Sequence, residues 1–170
     1  MFRALIERLI DHLKRLDQQV DEIEAQIKAW YRSNETCQRL GQVPGIGPLT
    51  ATAMVATVGD ARNFKNGREL AAWLGLVPRQ HSSGGKPTLL GISKRGDVYL
   101  RTLLIHGARS LAYSIGKKAP PEHWLCKLIN RRGTNVAVVA QANKTASIVW
   151  AMLSHERGFQ PDYTLTKASR

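Results

Sequence analysis

The sequence predicts a mainly α-helical fold, in which one long N-terminal helix precedes a helical domain. Two observations lead to this prediction: apolar residues between positions 4 and 31 recur at helical spacing, and later helix-forming stretches alternate with Gly and Pro breaks. Hydrophobic residues make up 43% of the 170, enough for a packed core. The expected units are a coiled-coil helix over 1–35, a helical domain over 36–157 and a polar tail over 158–170.

The N-terminal helix has the clearest periodicity in the chain. Its apolar residues are spaced alternately four and three apart, at Leu9, Leu13, Leu16, Val20, Ile23, Ile27 and Trp30. The intervening positions are mostly charged or Gln, and the stretch contains no Gly or Pro. This heptad pattern predicts a helix that pairs with another helix, either of a second copy or of a later segment. A surface helix lying on its own domain is the alternative.

The rest of the chain divides at polar and glycine breaks. A break at 33–35, with Asn34 or Ser33 as the helix cap, leads into a second helix. Residues 76–95 have the composition of a loop or short hairpin, rich in Gly, Ser, Pro and basic residues. The remaining expected elements are helix, tight turn and helix over 36–58, then helices over 68–74, about 97–114, 122–132 and 135–156.

Positive charge is concentrated after the first helix. Residues 1–35 carry 6 basic and 7 acidic side chains, whereas 36–170 carry 19 basic and 6 acidic ones. A compact domain with such an excess repels itself unless a polyanion neutralises it, and nucleic acid is the commonest such partner. A ribosome-associated protein, or one that is merely basic, is the alternative.

The cysteines and the N-terminus suggest where the protein acts. Cys37 and Cys126 lack paired spacing, which fits a reducing cytosol and indicates no metal motif. The sequence begins directly with a charged amphipathic pattern, so we expect neither a signal peptide nor a membrane partner. No stretch is judged long and apolar enough to span a bilayer. We therefore expect a cytoplasmic protein.

A glycine turn, Pro44-Gly45-Ile46-Gly47-Pro48, separates two helical stretches. Gly45 and Gly47 permit positive φ, and the N–H groups that begin the next helix, near Thr50, are left free to bind a phosphate. Ile46 would fill the core between the helices. The pattern resembles a helix-hairpin-helix, which grips DNA backbone without reading bases. A helix–helix corner without a ligand is the alternative.

A second candidate site is the Gly/Ser-rich basic loop. Ser82 and Ser83 precede Gly84-Gly85, so a hydroxyl there can approach a bulky substrate closely. A serine needs nearby positive charge to attack a phosphodiester. The cations expected to hold the phosphate are Lys86, Lys94, Arg95 and Arg101. Composition alone favours a flexible basic loop whose serines do no chemistry.

Several motifs in one order give a more specific indication. They are Val43–Pro48, Phe64, Leu70–Pro78, Ser83-Gly84, Ile92–Gly96 and Tyr99–Leu104. From Leu40 to about Leu153 the chain resembles the C-terminal transposase domain of the bridge-RNA-guided insertion-sequence transposases, a family that includes a pilin-gene invertase. The resemblance implies that Ser83, which precedes the loop glycine, forms a covalent phosphoserine link to DNA. Ser82 is the alternative nucleophile.

The same resemblance implies a missing half. Full-length members begin with a RuvC-like domain that carries four acidic metal ligands, and a coiled coil joins it to the transposase domain. We therefore expect a fragment that holds no metal or cofactor itself and needs Mg²⁺ only together with that domain. The implied partners are DNA, a structured guide RNA and a second copy bound through the first helix. A non-catalytic nucleic-acid-binding or dimerisation module is the alternative function.

Overall fold

A computed structural model describes residues 2–83, 86–118, 120 and 122–160; at positions 81–83, 86–89, 117 and 118 it describes the backbone only. The expected mainly α fold is confirmed. The helices are α1 (Phe2–Ser33), α2 (Glu35–Leu40), α3 (Pro48–Val58), α4 (Gly67–Trp73), α5 (Val98–Lys118), α6 (Trp124–Arg132) and α7 (Thr134–His155), and the strands are β1 (Pro78–Ser83) and β2 (Lys86–Ile92).

Helix α1 projects from the domain. It has 32 residues, none of them buried, and is about 48 Å long. Its side chains that are partly buried, among the described residues, are Ile27 and Tyr31, and α1 contacts α2 and α3. A Cβ on Gly41 would collide with the Tyr31 hydroxyl, so the Tyr31 side chain packs closely over the end of α2. The domain therefore holds α1 near its C-terminal end.

Local sequence signals explain most helix ends. The Asn34 side chain accepts a hydrogen bond from the Cys37 N–H at 3.0 Å, so Asn34, rather than Ser33, caps α2. Asn66 caps α4 in the same way, through the Glu69 N–H at 3.0 Å. Pro48 occupies the first turn of α3, where a missing N–H costs nothing.

Helix α7 is the centre of the domain, because α4, α5 and α6 all pack against it. Small buried residues, Ala137, Ala142 and Ala146, allow these helices to approach closely. A Cβ on Gly67 would lie 2.7 Å from the Ser147 Cα, which shows how tightly α4 crosses α7. The core is therefore built on backbone proximity as well as on large apolar side chains.

The hydropathy of α7 corrects the expectation that no stretch is long and apolar enough to span a bilayer. By length and hydropathy alone it is apolar enough to cross a membrane, with a mean hydropathy of 1.3 in its most apolar window. However, 44% of that window is buried inside the domain. A central core helix passes the same test, because neighbouring helices cover it as lipid would. We therefore interpret α7 as the core helix of this domain.

Both cysteines are unpaired among the described residues. Cys37 is buried at the contact of α2 with the core, and this burial raises the pKa of its thiol. The neutral thiol thus acts as a small apolar group. Cys126, on α6, is half-buried.

The glycine turn crosses α5 at a second glycine. A Cβ on Gly45 would lie 2.8 Å from the Gly107 carbonyl oxygen, and a Cβ on Gly107 would collide with the Gly45 carbonyl oxygen. Both atoms belong to backbone, which cannot swing aside. The turn and α5 can therefore meet only because neither position carries a side chain.

We expect Gly107→Ala to lower the free energy of unfolding by about 1–3 kcal/mol, because the added methyl group overpacks this crossing. Gly116→Ala is the matched control on the same helix, since a Cβ there meets nothing within 4 Å. The control should raise stability by up to about 1 kcal/mol through helix propensity. Urea unfolding of both variants tests this expectation, and equal stability changes would contradict the crossing.

Candidate nucleic-acid interface

The segment between β2 and α5 is anchored to the end of α4. The Ser93 N–H donates to the Val77 carbonyl at 2.8 Å, and the Lys94 N–H donates to the Gly75 carbonyl at 3.1 Å. Gly96 has φ +107°, and a Cβ there would collide with the Trp73 carbonyl oxygen. The basic segment at 93–96 is therefore held in one conformation by backbone contacts.

Arg101 completes this anchor from inside the protein. Its side chain is only 8% exposed, and its Nη1 donates to the Leu74 carbonyl at 3.0 Å. A Cβ on Gly75 would lie 2.8 Å from the same nitrogen, so Gly75 makes room for the guanidinium. Arg101 is therefore not exposed beside Lys94 and Arg95, as the expectation of a phosphate contact required: its charge caps the end of α4 and joins it to α5.

Lys94 and Arg95 do present their side chains at the surface. Lys94 has φ +55°, a left-handed conformation that costs a residue with a Cβ roughly 1–2 kcal/mol. The hydrogen bond to Gly75 and the neighbouring Gly96 compensate for that cost. Two of the expected phosphate-holding cations are thus adjacent, exposed and attached to a rigid segment.

The hairpin carries the expected nucleophile at its tip. Strands β1 and β2 are antiparallel, and Ser83 and Lys86 are cross-strand partners. The side chains of Ser82, Ser83 and Lys86 lie outside the described part of the structure, as do Gly84 and Gly85. The backbone register therefore brings Ser83 next to Lys86 along the ladder, at the end of the hairpin remote from Lys94 and Arg95.

The hairpin carries one further cation that was not among the candidates predicted from the sequence. Arg79 is exposed on β1, four residues before Ser83. The signal that could have identified it is its basic side chain within a strand that leads to the candidate nucleophile. It adds a third exposed positive charge to the hairpin and its base.

In the glycine turn, fewer residues than expected are exposed to a nucleic acid. Ile46 and Thr50 are 6% and 7% exposed, so both side chains lie in the core, as expected for Ile46, and a contact with nucleic acid here would involve backbone groups. Gly45 uses the positive φ that glycine permits, +89°, whereas Gly47 has φ −95°, which any residue can adopt. Gly47 is exposed and open to solvent, and it precedes the free N–H groups of the first turn of α3.

The two candidate regions are joined by α5. Gly45 contacts Gly107 on α5, and Arg101 lies six residues earlier on that helix, about 9 Å along its axis. Leu49, in the first turn of α3, and Tyr99, in the first turn of α5, line the same groove. The starts of α3 and α5 therefore lie on one side of the domain.

Metal-ligating side chains do not gather in the described ranges. Groups of three or more His, Cys, Asp or Glu residues that could hold an ion are absent from that part of the chain. The described acidic residues near the basic segment include Asp97, whose carboxylate accepts from the Leu100 N–H at 2.7 Å and so caps α5. The chemistry available here is that of positive charge and backbone N–H groups toward an anion.

Comparison with known proteins gives consistent matches. Residues 37–122 match the family described as Transposase IS116/IS110/IS902 family. A probable family 20 transposase of Pseudomonas aeruginosa is 51% identical over 158 residues, 92% of this chain and 47% of that protein. For the transposase for insertion sequence element IS1111A of Coxiella burnetii, the identity is 48% over 159 residues, 93% and 44% of the two chains.

A more distant relative is the pilin gene-inverting protein of Moraxella bovis. It is 27% identical over 154 residues, which are 88% of this chain and 45% of that protein. The chain thus spans about half the length of the curated relatives it matches.

Proposed function

Because the chain belongs to the Transposase IS116/IS110/IS902 family, we propose that it is the DNA-binding and strand-transfer part of an insertion-sequence transposase. Ser83 is its nucleophile and becomes covalently linked to DNA. Strand cleavage additionally needs Mg²⁺, bound by a RuvC-like acidic domain outside these 170 residues. The protein acts in the cytoplasm, on DNA, together with a structured guide RNA.

The proposed reaction exchanges one phosphate ester for another. The Ser83 Oγ attacks the phosphorus of a DNA phosphodiester, the Oγ–P bond forms, and a bond from phosphorus to one deoxyribose oxygen breaks. The serine loses a proton, and the released deoxyribose oxygen gains one. Positive side chains stabilise the negative oxygens of the transition state. Lys86, the cross-strand partner of Ser83, is the nearest candidate along the backbone.

Lys94 and Arg95 bind the DNA backbone at the base of the hairpin, away from the linkage that Ser83 attacks. The single observation that carries the proposal is that these two exposed cations are attached to a segment anchored by Gly75 and Gly96, directly before the helix that holds Arg101. A rigid cationic segment holds a phosphate with little loss of conformational entropy. A solvated filler loop would not need such anchoring.

The glycine turn contributes a second backbone contact. In this proposal a neighbouring phosphate lies at Gly47, where the free N–H groups and the dipole of α3 favour an anion. Helix α1 pairs with the α1 of a second copy in a coiled coil, which is supported by its exposed apolar residues.

The DNA-binding part is tested with the double variant Lys94→Gln/Arg95→Gln. If both cations contact phosphates, binding to duplex DNA weakens, and the slope of log K against log salt becomes shallower by about 2. Gln keeps a long side chain at both positions, so the backbone conformation is retained. Fluorescence anisotropy over a salt series measures both quantities.

The matched control is Arg131→Gln/Arg132→Gln, which removes the same charge from an exposed pair at the end of α6. It should change the salt slope by less than half as much. Equal losses in the two double variants would mean that binding follows net charge alone, and the assignment of the interface would fail.

A further inference from the structure

Helix α1 carries a continuous apolar seam that the domain leaves uncovered. The seam extends the heptad pattern back to the start of the helix and comprises Phe2, Ile6, Leu9, Leu13, Leu16, Val20, Ile23, Ile27 and Trp30. Apart from half-buried Ile27, these side chains are 40–77% exposed. An uncovered seam of four heptads on an otherwise charged helix requires a partner helix.

The residue types along the seam favour one geometry of partner. The a positions are Ile6, Leu13, Val20 and Ile27, and the d positions are Phe2, Leu9, Leu16, Ile23 and Trp30. Three of the four a positions are β-branched, and Leu occupies two of the central d positions. β-Branched residues at a with Leu at d favour a parallel, two-stranded coiled coil.

The flanking positions agree with that geometry. In a parallel, in-register pair, Leu5 lies against the partner's Ile10, and His12 lies against the partner's Asp17. The first pair covers two side chains that are 54% and 47% exposed in the single chain. The second pair joins a histidine to a carboxylate, so no like charges meet along this flank.

An antiparallel pair of the same helices is less favourable. With full overlap, Asp17 of one helix lies against Asp17 of the other, which places like charges together at the symmetry axis. Ile10 would then lie against the partner's Glu24, and an apolar side chain would lose its apolar neighbour. The charges therefore discriminate between the two directions.

At the C-terminal end of α1 the seam leads into a groove that the domain helps to form. The groove is apolar and lies between α1 and α3, lined by Ile27, Trp30, Leu49, Ala53 and Tyr99 among others. Leu49 and Tyr99 are 44% and 56% exposed. Because Ile27 and Trp30 belong to both the seam and the groove, a helix that follows the seam reaches α3 and the start of α5.

We infer that a second copy of this chain binds with its α1 parallel and in register, and that the last turns of its α1 fill this groove. Each protomer then buries Leu49 and Tyr99 against its partner as well as its own seam.

The role of this dimer in DNA binding rests on the proposed function. Parallel pairing puts both domains at one end of the coil, whereas antiparallel pairing would separate them by the length of α1, about 48 Å. Two Lys94–Arg95 segments can then engage one DNA molecule.

The direction of the helices is tested by disulfide crosslinking of the whole chain in a Cys126→Ser background. In the parallel pair Leu9 meets the partner's Leu9, with Cα atoms about 6 Å apart, so Leu9→Cys alone should form a covalent dimer on oxidation with diamide. In the antiparallel pair Leu9 meets the partner's Ile27. Crosslinking only when Leu9→Cys and Ile27→Cys chains are mixed would overturn the inference.

The groove is tested with Leu49→Asp, measured by sedimentation equilibrium. The charge should raise the dimer dissociation constant at least tenfold, because it is placed between α3 and the partner's α1. Val136→Asp is the control: Val136 is 53% exposed on α7, outside the groove, and should change the constant less than twofold. Circular dichroism of both variants verifies that the helices are retained. An unchanged constant in Leu49→Asp would overturn the groove contact.

A chain that stays monomeric at all concentrations would overturn both this inference and the proposed pairing through α1. It would leave the DNA-binding interface intact, because the anisotropy experiment does not depend on dimerisation. A dimer that crosslinks only in the antiparallel combination would instead retain the proposed pairing and overturn the parallel arrangement alone.

Discussion

Ser83→Ala is expected to abolish the covalent link between the chain and DNA, because no other hydroxyl holds the position next to Lys86 in the hairpin register. The substitution keeps every positive side chain, so the salt-dependent affinity for DNA should change less than twofold. The reaction requires the chain, a RuvC-like domain supplied in trans, guide RNA, cognate DNA and Mg²⁺. Denaturing gel electrophoresis then reports the protein–DNA adduct.

Ser82→Ala is the matched control, because it removes one hydroxyl from the adjacent residue and the same strand. It should retain the adduct. Loss of the adduct in Ser82→Ala with retention in Ser83→Ala would transfer the role to Ser82. Absence of any adduct in the unmodified chain, with DNA binding intact, would favour the non-catalytic binding module.

Arg101→Ala is expected to lower the free energy of unfolding by about 2–4 kcal/mol. The substitution removes a charged hydrogen bond from the Leu74 carbonyl and leaves a cavity where the buried side chain lies. The end of α4 and the segment at 93–96 would lose their common support. Guanidinium unfolding measures the change, and weaker DNA binding should accompany it.

Arg109→Ala is the control for this effect, since Arg109 is an exposed arginine on the same helix, two turns later. We expect it to change stability by less than about 0.5 kcal/mol. If Arg101→Ala were as stable as Arg109→Ala, while DNA affinity fell, Arg101 would be a phosphate ligand rather than a structural residue.

Most of the helical architecture was predictable from local patterns. The heptad spacing predicted α1, the break at 33–35 marked the start of α2, and the glycine turn separated α2 from α3. The segment at 76–95 was left open between loop and hairpin, and strands β1 and β2 make it a hairpin. Helix α5 extends beyond its expected end at Ser114 to Lys118.

The roles of individual site residues were less predictable. Thr50 was selected because it lies at the start of a helix, but its side chain faces the core. Gly45 was assigned to a phosphate contact, whereas its backbone meets Gly107, 62 residues later in the sequence. Lys94 and Arg95 were selected for their charge, and the contact of their segment with α4 explains why they stay exposed.

The sequence by itself determined roughly where the helices lie, how charge is distributed and which residues of α1 form an apolar seam, because these properties depend on neighbours within a few positions. Only the tertiary structure decided which arginine is buried and which cations face outward. Arg101 meets a carbonyl 27 residues earlier in the chain. Whether a guanidinium finds a carbonyl or solvent depends on how distant helices pack, and spacing along one helix carries no such information.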